Sequence, residues 1–559
     1  MRPNGGLAYL ETKKIGNQTY YYLIERARVH GVSKKVRTVY LGSAEGILAR
    51  IEGRAPVPPV ALTLKSYPFG KTALLLKIAQ ELHFVETVDR YTHKRSTPEL
   101  SVGEYLLMTI LARAHEPWSK AATGRWFSRD CYLRFLWDVP HRLTSKNILS
   151  NLHHLTDPQV QRRIEMTLAE ALVKRGLRPS TLFWDVTNTS NYIEEGEELP
   201  RTGFAKDRRY DLNQASTGLV VTEDHVPFFH ETLPGNCDEY EVFAKAVEAL
   251  TVRLTRLELD PSEMILVMDR GANSEENLAK ARELMHVVGG VPSHLVPDLM
   301  DLDPADFTPL HVTGRGNELL GYRIRREIYG QKWNVAVVYN AATARRRAEA
   351  CTKYEMRYIE RIQRLKERYE RTKGRPVSYA SAAAEAAAMV FDPYRTVFRY
   401  TLSEKPRTLS WEVDPAAKER LHRRFGKRVF FTDLDLDAET MVRTYEERWK
   451  VEEDFRWMKG DEMMPFAPLF VRKDQSVRAH AFMTVMGLLL WRLAFTEIRR
   501  QGVKEREGEI LDALEELRLV LQAQGRGGKL RGGTWALEQH DSLAQELLET
   551  LNLKALVPA

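Results

Sequence analysis

The chain has 559 residues, 43% of them hydrophobic, and 83 Lys and Arg against 76 Asp and Glu leave a net charge of +7; that length exceeds one ordinary core and predicts several domains. Cys131, Cys237 and Cys351 are widely spaced and form no CxxC, which argues against a zinc ribbon or a disulfide framework and points to a reducing compartment. Met1-Arg-Pro-Asn-Gly-Gly has no signal-peptide core, and the most apolar run, Ala481 to Thr496, is short and contains Arg492, so a buried helix and a cytoplasmic protein without membrane spans are expected.

Residues 1–60 form a basic β-rich segment. Arg2, Lys13, Lys14, Arg26, Arg28, Lys34, Lys35 and Arg37 stand against Glu11 and Glu25, a surplus close to that of the whole chain. Gln18 to Ile24 and Lys34 to Leu41 predict two strands joined near His30-Gly31. Such a Tyr-rich ribbon suits phosphate binding; an edge hairpin kept soluble by lysines has the same composition. Residues 61–178 turn helical, most clearly at Leu100 to Leu111, with Ser101 as cap, and at Gln159 to Lys174. Trp118-Ser-Lys120 and Arg125-Trp126 interleave bases with aromatics, a pattern of core packing or of nucleic-acid contact.

Residues 179–300 predict the first part of a catalytic core. Ser180-Thr-Leu-Phe-Trp184-Asp185 and Met264-Ile-Leu-Val-Met268-Asp269 are short apolar strands that each deliver an acid at the end, where buried sheets present their chemistry. An Asp in that position also serves as turn residue or helix cap. The interval to the next core segment is long, so residues 301–427 are expected to be an inserted domain. It holds a hairpin at Tyr322 to Tyr339, a helix at Ala341 to Arg375 with twelve Lys and Arg against five Asp and Glu, an Ala-rich stretch at Ser378 to Ala388, and strands at Thr396 to Tyr400 and Leu409 to Val413. Trp333 or Trp411 is positioned to stack an extruded base or to fill a core. The core resumes over 428–500, where Asp433 follows a strand as a turn residue.

A helix from Tyr445 to Lys459 places Tyr445, Arg448, Glu452 and Lys459 on one stripe about 60° wide at about 100° per residue, while Glu446, Glu447, Glu453 and Asp454 scatter around the wheel. Met441, Val451, Phe455 and Met458 make an adjoining apolar arc, so Glu452 is expected at the rim of a core. Residues 501–559 read as a helical tail, Glu507 to Gln522 and Ser542 to Leu553 around a Gly/Arg/Lys turn at 525–533, either a dimerisation element or an inert cap.

Tyr445, Arg448, Glu452 and Lys459 carry a Tyr, two residues, Arg, three residues, Glu, six residues, Lys signature. In this the chain resembles the DDE-type insertion-sequence transposases of the IS-four superfamily, most closely the IS-sixteen-thirty-four branch. The resemblance extends to Asp185-Val-Thr, to Lys206-Asp207-Arg-Arg209-Tyr-Asp211-Leu-Asn-Gln214, to Pro227, Pro234-Gly235-Asn236 and Asp238, and to Asp269-Arg270-Gly271. It runs with gaps from the basic start to about residue 497. His225 departs from it, since members often carry Gly there.

The resemblance implies an α/β fold: a ribonuclease H-like mixed-sheet catalytic core interrupted by a β-containing insertion domain, with a helical N-terminal region and a helical C-terminal tail. It implies that Asp185, Asp269 and Glu452 hold two Mg²⁺ ions, with Mn²⁺ able to substitute, and that water and then a 3′-hydroxyl attack phosphodiesters there. Arg448 and Lys459 would hold phosphates and Tyr445 the adjacent backbone, with Arg270, Lys206, Arg209, Trp333 and the basic N-terminal residues as further DNA contacts. The implied partners are terminal inverted repeats, recognised within residues 1–178, target DNA, and a second protomer in the synaptic complex. A structure-selective nuclease with the same metal site and a non-catalytic DNA-binding regulator remain as alternatives.

Overall fold

Tyr20-Tyr21-Tyr22 and the Thr and Val residues around them favour extended backbone near the N-terminus. The computed structural model describes every residue except 1–6, 16–17, 30–31, 53–61, 93–99, 138–142, 195–197, 204, 206–207, 315–316, 461–462, 525–532, 539–540 and 559. Strands β1 (Leu7–Ile15), β2 (Gln18–Val29) and β3 (Val32–Ser43) form an antiparallel sheet, so the expected pair of strands has a third partner. Rings of Tyr22 and Tyr40 lie 5.2 Å apart, with Tyr20 6.0 Å from Tyr40. The expected joint at His30-Gly31 falls outside the described residues.

Residues Met1–Ser66 with Leu519–Leu537 make one compact unit, and Tyr67–Arg518 with Glu538–Pro558 the other. The first also contains Leu62–Ser66 of strand β4 (Leu62–Pro68).

In the second unit, helices Gly70–Glu81, Phe84–Tyr91, Val102–His115, Lys120–Arg129, Ser145–Leu152 and Pro158–Lys174 fulfil the helical expectation. Ser101 caps Val102–His115 with a reciprocal pair: its hydroxyl accepts from the Glu104 amide at 3.1 Å, and the Glu104 carboxylate accepts from the Ser101 amide at 2.7 Å.

The main sheet uses β5 (Thr181–Asn191), β6 (Asn213–Thr222), β7 (Pro227–Pro234), β8 (Ile265–Met268), β9 (His286–Val291), β10 (Thr308–Gly314), β11 (Asn317–Ile328) and β12 (Gln331–Asn340). With β13 (Phe398–Glu404) and β14 (Arg407–Val413) forming a separate hairpin, β15 (Lys427–Thr432) completes nine strands in the order β10-β11-β12-β15-β9-β8-β5-β6-β7. β5, β6 and β7 are antiparallel neighbours, while β8 and β9 run parallel to β5. Apolar side chains such as Leu182, Trp184, Leu266 and Val287 pack this sheet against its helices. The mixed α/β architecture is compatible with a ribonuclease H-like transposase core.

Three sequence expectations need correction. Residues 308–340, placed in the inserted segment, extend the main sheet, because β12 pairs with β15 from Asn334↔Thr432 to Tyr339↔Lys427. Residues 341–424 instead pack among themselves: Tyr358, Ile362, Leu365 and Tyr369 of helix Ala341–Tyr369 meet Ala382, Ala386, Phe398 and Leu409. That helix stops at Tyr369 rather than Arg375, with Glu370 as its C-cap, and Gly374 at φ +86° and Pro376 keep the chain from resuming it directly. In the tail, helix Glu507–Glu516 ends before β16 (Arg518–Gln524), which with β17 (Gly533–Leu537) joins β4 in a sheet ordered β17-β16-β4. The helix expected to Gln522 and the purely helical tail are therefore wrong; among the described residues beyond it, helix Ser542–Thr550 is followed by a 3-10 turn at Leu553–Leu556.

Helix Asp474–Arg500 is long and apolar enough to cross a membrane, but its most apolar window is 83% buried within the protein.

Candidate active site

β5 and β8 run parallel with Phe183 opposite Val267. Two residues further on, Asp185 and Asp269 come level on adjacent strands, and the period of two turns both to the same face. Asp185 lies in the middle of β5, not at a strand end as expected: Thr187 to Asn191 are polar yet continue to pair with β6 as far as Asn191↔Asn213. Asp269 does follow the last residue of β8 and opens the turn Arg270–Ala272.

The single helix expected from Tyr445 to Lys459 is two, Ala438–Glu446 and Trp449–Lys459. Between them the Arg448 amide donates to the Tyr445 carbonyl at 3.1 Å and Lys450 to Glu447 at 3.0 Å, i to i−3 bonds that wind one turn more tightly. The signature residues survive this break. Arg448 Nη1 lies 3.3 Å from Asp185 Oδ2, Nη2 3.7 Å from Asp269 Oδ2, and Nη2 2.5 Å from Glu452 Oε1. One guanidinium thus gathers a carboxylate from a strand, one from a strand end and one from a helix.

Exposure rises across the three acids, from 11% at the Asp185 side chain to 40% at Asp269 and 54% at Glu452. Burial opposes the charge on Arg448, but Asp269, Tyr445, Asp185 and Glu452 outweigh it and raise its pKa. Burial, with Asp269 adding to it, pushes the Tyr445 phenol up to about 12. Tyr445 therefore keeps its proton and donates it to Asp269 Oδ1 at 3.1 Å. A Cβ on Gly290 of β9 would meet the Tyr445 hydroxyl at 3.0 Å and Arg270 Nε at 3.2 Å, so a glycine inside a strand makes room for both.

Asp185, Asp269, Glu452, Arg448 and Lys459 line one open cleft, together with Glu239, Gly271, Phe455 and Arg456. Glu239 and Arg456 were not anticipated. The signal for Arg456 was its place four residues after Glu452, one helical turn along; Glu239 gave none beyond following Asp238. The acids supply only carboxylate oxygens, the donors a hard divalent ion requires, and in donor chemistry they fit Mg²⁺. Among the described residues no three His, Cys, Asp or Glu side chains form a ready cage for one ion, and Arg448 sits between the site's acids.

Behind the Trp449–Lys459 helix, Arg492 of helix Asp474–Arg500 is buried against it. Its Nε donates to Asp454 Oδ1 at 2.6 Å, its Nη2 lies 3.2 Å from Glu453 Oε2, and its guanidinium carbon stands 3.4 Å from the Trp457 ring centroid. On the other flank Lys450 donates to the Glu223 carbonyl at 2.6 Å. His225 occupies φ +64° in the turn between β6 and β7, the conformation that explains a glycine preference there, and its ring meets Trp449 at 5.1 Å.

The remaining expected contacts lie elsewhere. Trp333 is 1% exposed, edge-on to Phe431 at 4.8 Å, and its indole N–H donates to the Ile328 carbonyl; no face is open to a base, which corrects that expectation. Trp411 is half-buried, edge-on to Tyr358. Arg209 pairs with Asp211 at 2.8 Å and does not line the cleft. Asp433 accepts from His286 and from the Val287 amide, as a residue fixing a strand end. Lys13 and Lys14 are exposed on β1, Arg26 is half-buried, Lys35 pairs with Glu11 at 2.6 Å and Arg37 with Glu25 at 3.5 Å. Lys206 and the side chains of Arg28 and Lys34 lie outside the described residues.

The family model of the transposase DDE domain matches residues 219–490, just under half of the chain. This match supports a DDE transposase. It covers Asp269 and Glu452 and the cleft residues from Glu239 onward, and it ends at residue 490 within helix Asp474–Arg500, before Arg492, while Asp185 lies ahead of its start. No curated protein matches the chain.

Proposed function

We propose that the protein is a DNA transposase that cuts at the ends of an insertion sequence and joins the freed 3′-hydroxyl ends to target DNA, in the manner of the IS-sixteen-thirty-four branch. The observation that carries this is the convergence of Asp185, Asp269 and Glu452 on Arg448 within a cleft edged by Lys459 and Arg456. Two divalent ions, held by those three acids, would neutralise charge on the attacking and leaving oxygens of a phosphodiester. Arg448, freed from part of its carboxylate load, would face the phosphate, with Lys459 holding the strand beside it. Tyr445, protonated throughout the physiological range, orients Asp269 by its hydrogen bond.

The segment 341–424 carries twenty Lys and Arg against eleven Asp and Glu, a larger surplus than the chain's +7. This supports a role as an inserted domain that holds DNA near the cleft. The basic ribbon β1–β3 and the helices up to residue 178 are the proposed readers of the terminal repeats, and pairing of two ends calls for a homodimer. A cytoplasmic location follows from that work.

The test is incubation of the protein with DNA carrying the inverted repeats that flank its gene. In Mg²⁺, 3′-end nicks and strand-transfer joints are expected; Asp185→Ala, Asp269→Ala and Glu452→Ala should each abolish both while end binding persists. A variant that still cuts at the wild-type rate removes its residue from the site. Cutting without joints would replace this proposal by the nuclease alternative.

A further inference from the structure

Glu239 is the first residue of helix Glu239–Arg256, where an acid ordinarily serves only the helix dipole. That end is already served: the Asp238 carboxylate accepts from the Tyr240 amide at 3.1 Å, and Glu241 adds a second charge in the first turn. The Glu239 carboxylate lies instead along the wall of the cleft that contains Asp185, Asp269 and Glu452. Its place there depends on Gly271, two residues after Asp269. A Cβ at 271 would stand 2.4 Å from Glu239 Oε2 and 3.1 Å from its carboxyl carbon, so only the absence of a side chain admits the carboxylate beside the turn that follows β8.

Four acids therefore line a cleft in which Arg448 gathers three of them. Like charges this close are tolerated only with added positive charge, and hard divalent ions take carboxylates in numbers that protein cages with three acids leave to water. We infer that Glu239 is a fourth acidic ligand of the site, one that would help hold a divalent ion there. This rests on the transposase reading above and adds to it a residue that the three-acid signature does not contain.

Two substitutions test it without disturbing the fold. Glu239→Gln keeps shape and removes charge. Gly271→Ala moves only the flexible end of Glu239, since the atoms it meets are the tip of that side chain. The probe is Mn²⁺ added to the full-length, DNA-free protein, followed by calorimetry and by the electron paramagnetic resonance of free Mn²⁺, with end cleavage against Mn²⁺ concentration as a second readout. Asp269→Asn is the reference. Both variants are expected to need roughly tenfold or more Mn²⁺ for half-saturation, to melt as the wild type does, and to regain part of their cleavage at high Mn²⁺. Wild-type Mn²⁺ binding by Glu239→Gln, alongside its loss in Asp269→Asn, would overturn the inference and leave the proposed function standing. Unchanged Mn²⁺ binding and cutting in Asp269→Asn would instead overturn the transposase site itself.

Discussion

Arg448 is the residue on which the site's three carboxylates depend, and its geometry separates it from a lysine. Three acids at 2.5–3.7 Å are shared between its Nη1 and Nη2, a fork that a point ammonium cannot reproduce. Arg448→Lys is expected to lower the cleavage rate by about 10²-fold, the usual scale for losing one aligned donor, and Arg448→Ala by more. Single-turnover assays at saturating DNA measure this; a lysine variant at the wild-type rate would mean that any positive charge suffices. Tyr445, Arg448, Glu452 and Lys459 were legible from spacing because offsets of three, four and seven return to one side of a helix even across a tightened turn. Glu239 was not legible, since its only distinction is that a glycine thirty-odd positions later comes to lie against it. Gly290 was legible in principle, as half of a Gly-Gly pair inside an apolar strand.

At the scale of elements, the helix that carries Glu452 is oriented by what lies behind it. Arg492 holds Asp454 and Glu453 from one side and stacks on Trp457, so rotation of Trp449–Lys459 would break three contacts at once. Burial pushes the Asp454 carboxyl up from its ordinary 3.8 to about 7, more than Arg492 lowers it, with Glu453 and Glu507 adding to the rise. Because the folded pKa lies above the unfolded one, the folded chain keeps a proton that the unfolded chain has lost between about pH 4 and about pH 7. The associated stability is complete below that window and disappears as pH rises through it, on the order of a few kcal/mol. Asp454→Asn should flatten this part of the stability curve, measured by urea unfolding at intervals from pH 4 to pH 8; an unchanged slope would show Asp454 ionised throughout. Glu453→Ala removes one of the three carboxylates around the buried Arg492 guanidinium, leaving Asp454 and Glu507, and is expected to cost about 1–3 kcal/mol of stability with chemistry per folded molecule retained. Strands whose partners are distant were the least legible elements. Leu519 to Ala523 favours helix in isolation and becomes a strand between β17 and β4, the latter more than 450 positions earlier.

For the whole molecule, the nine-stranded sheet closes without the segment 341–424. The Asn340 amide donates to the Gly426 carbonyl at 2.9 Å, so the ends of that segment meet across two adjacent strands, and its apolar side chains form their own cluster. β12 and β15 could then be joined by a short turn, which is why their pairing was hidden behind some eighty residues of intervening sequence. Replacing 341–424 by a two- to four-residue glycine-containing turn is expected to leave a cooperatively folding core, because the loop-closure entropy is reduced and no strand pair of the main sheet is removed. The same variant loses twenty basic residues against eleven acidic ones. Its affinity for DNA ends should fall by tenfold or more at about 0.1 M salt, with a shallower dependence of binding on salt, since fewer counterions are released from the phosphates. Mn²⁺ binding at Asp185, Asp269 and Glu452 should persist. A variant that binds ends with the full salt dependence would assign the positive charge of this segment to solvation alone, and one that fails to fold would make its hydrophobic cluster part of the main core.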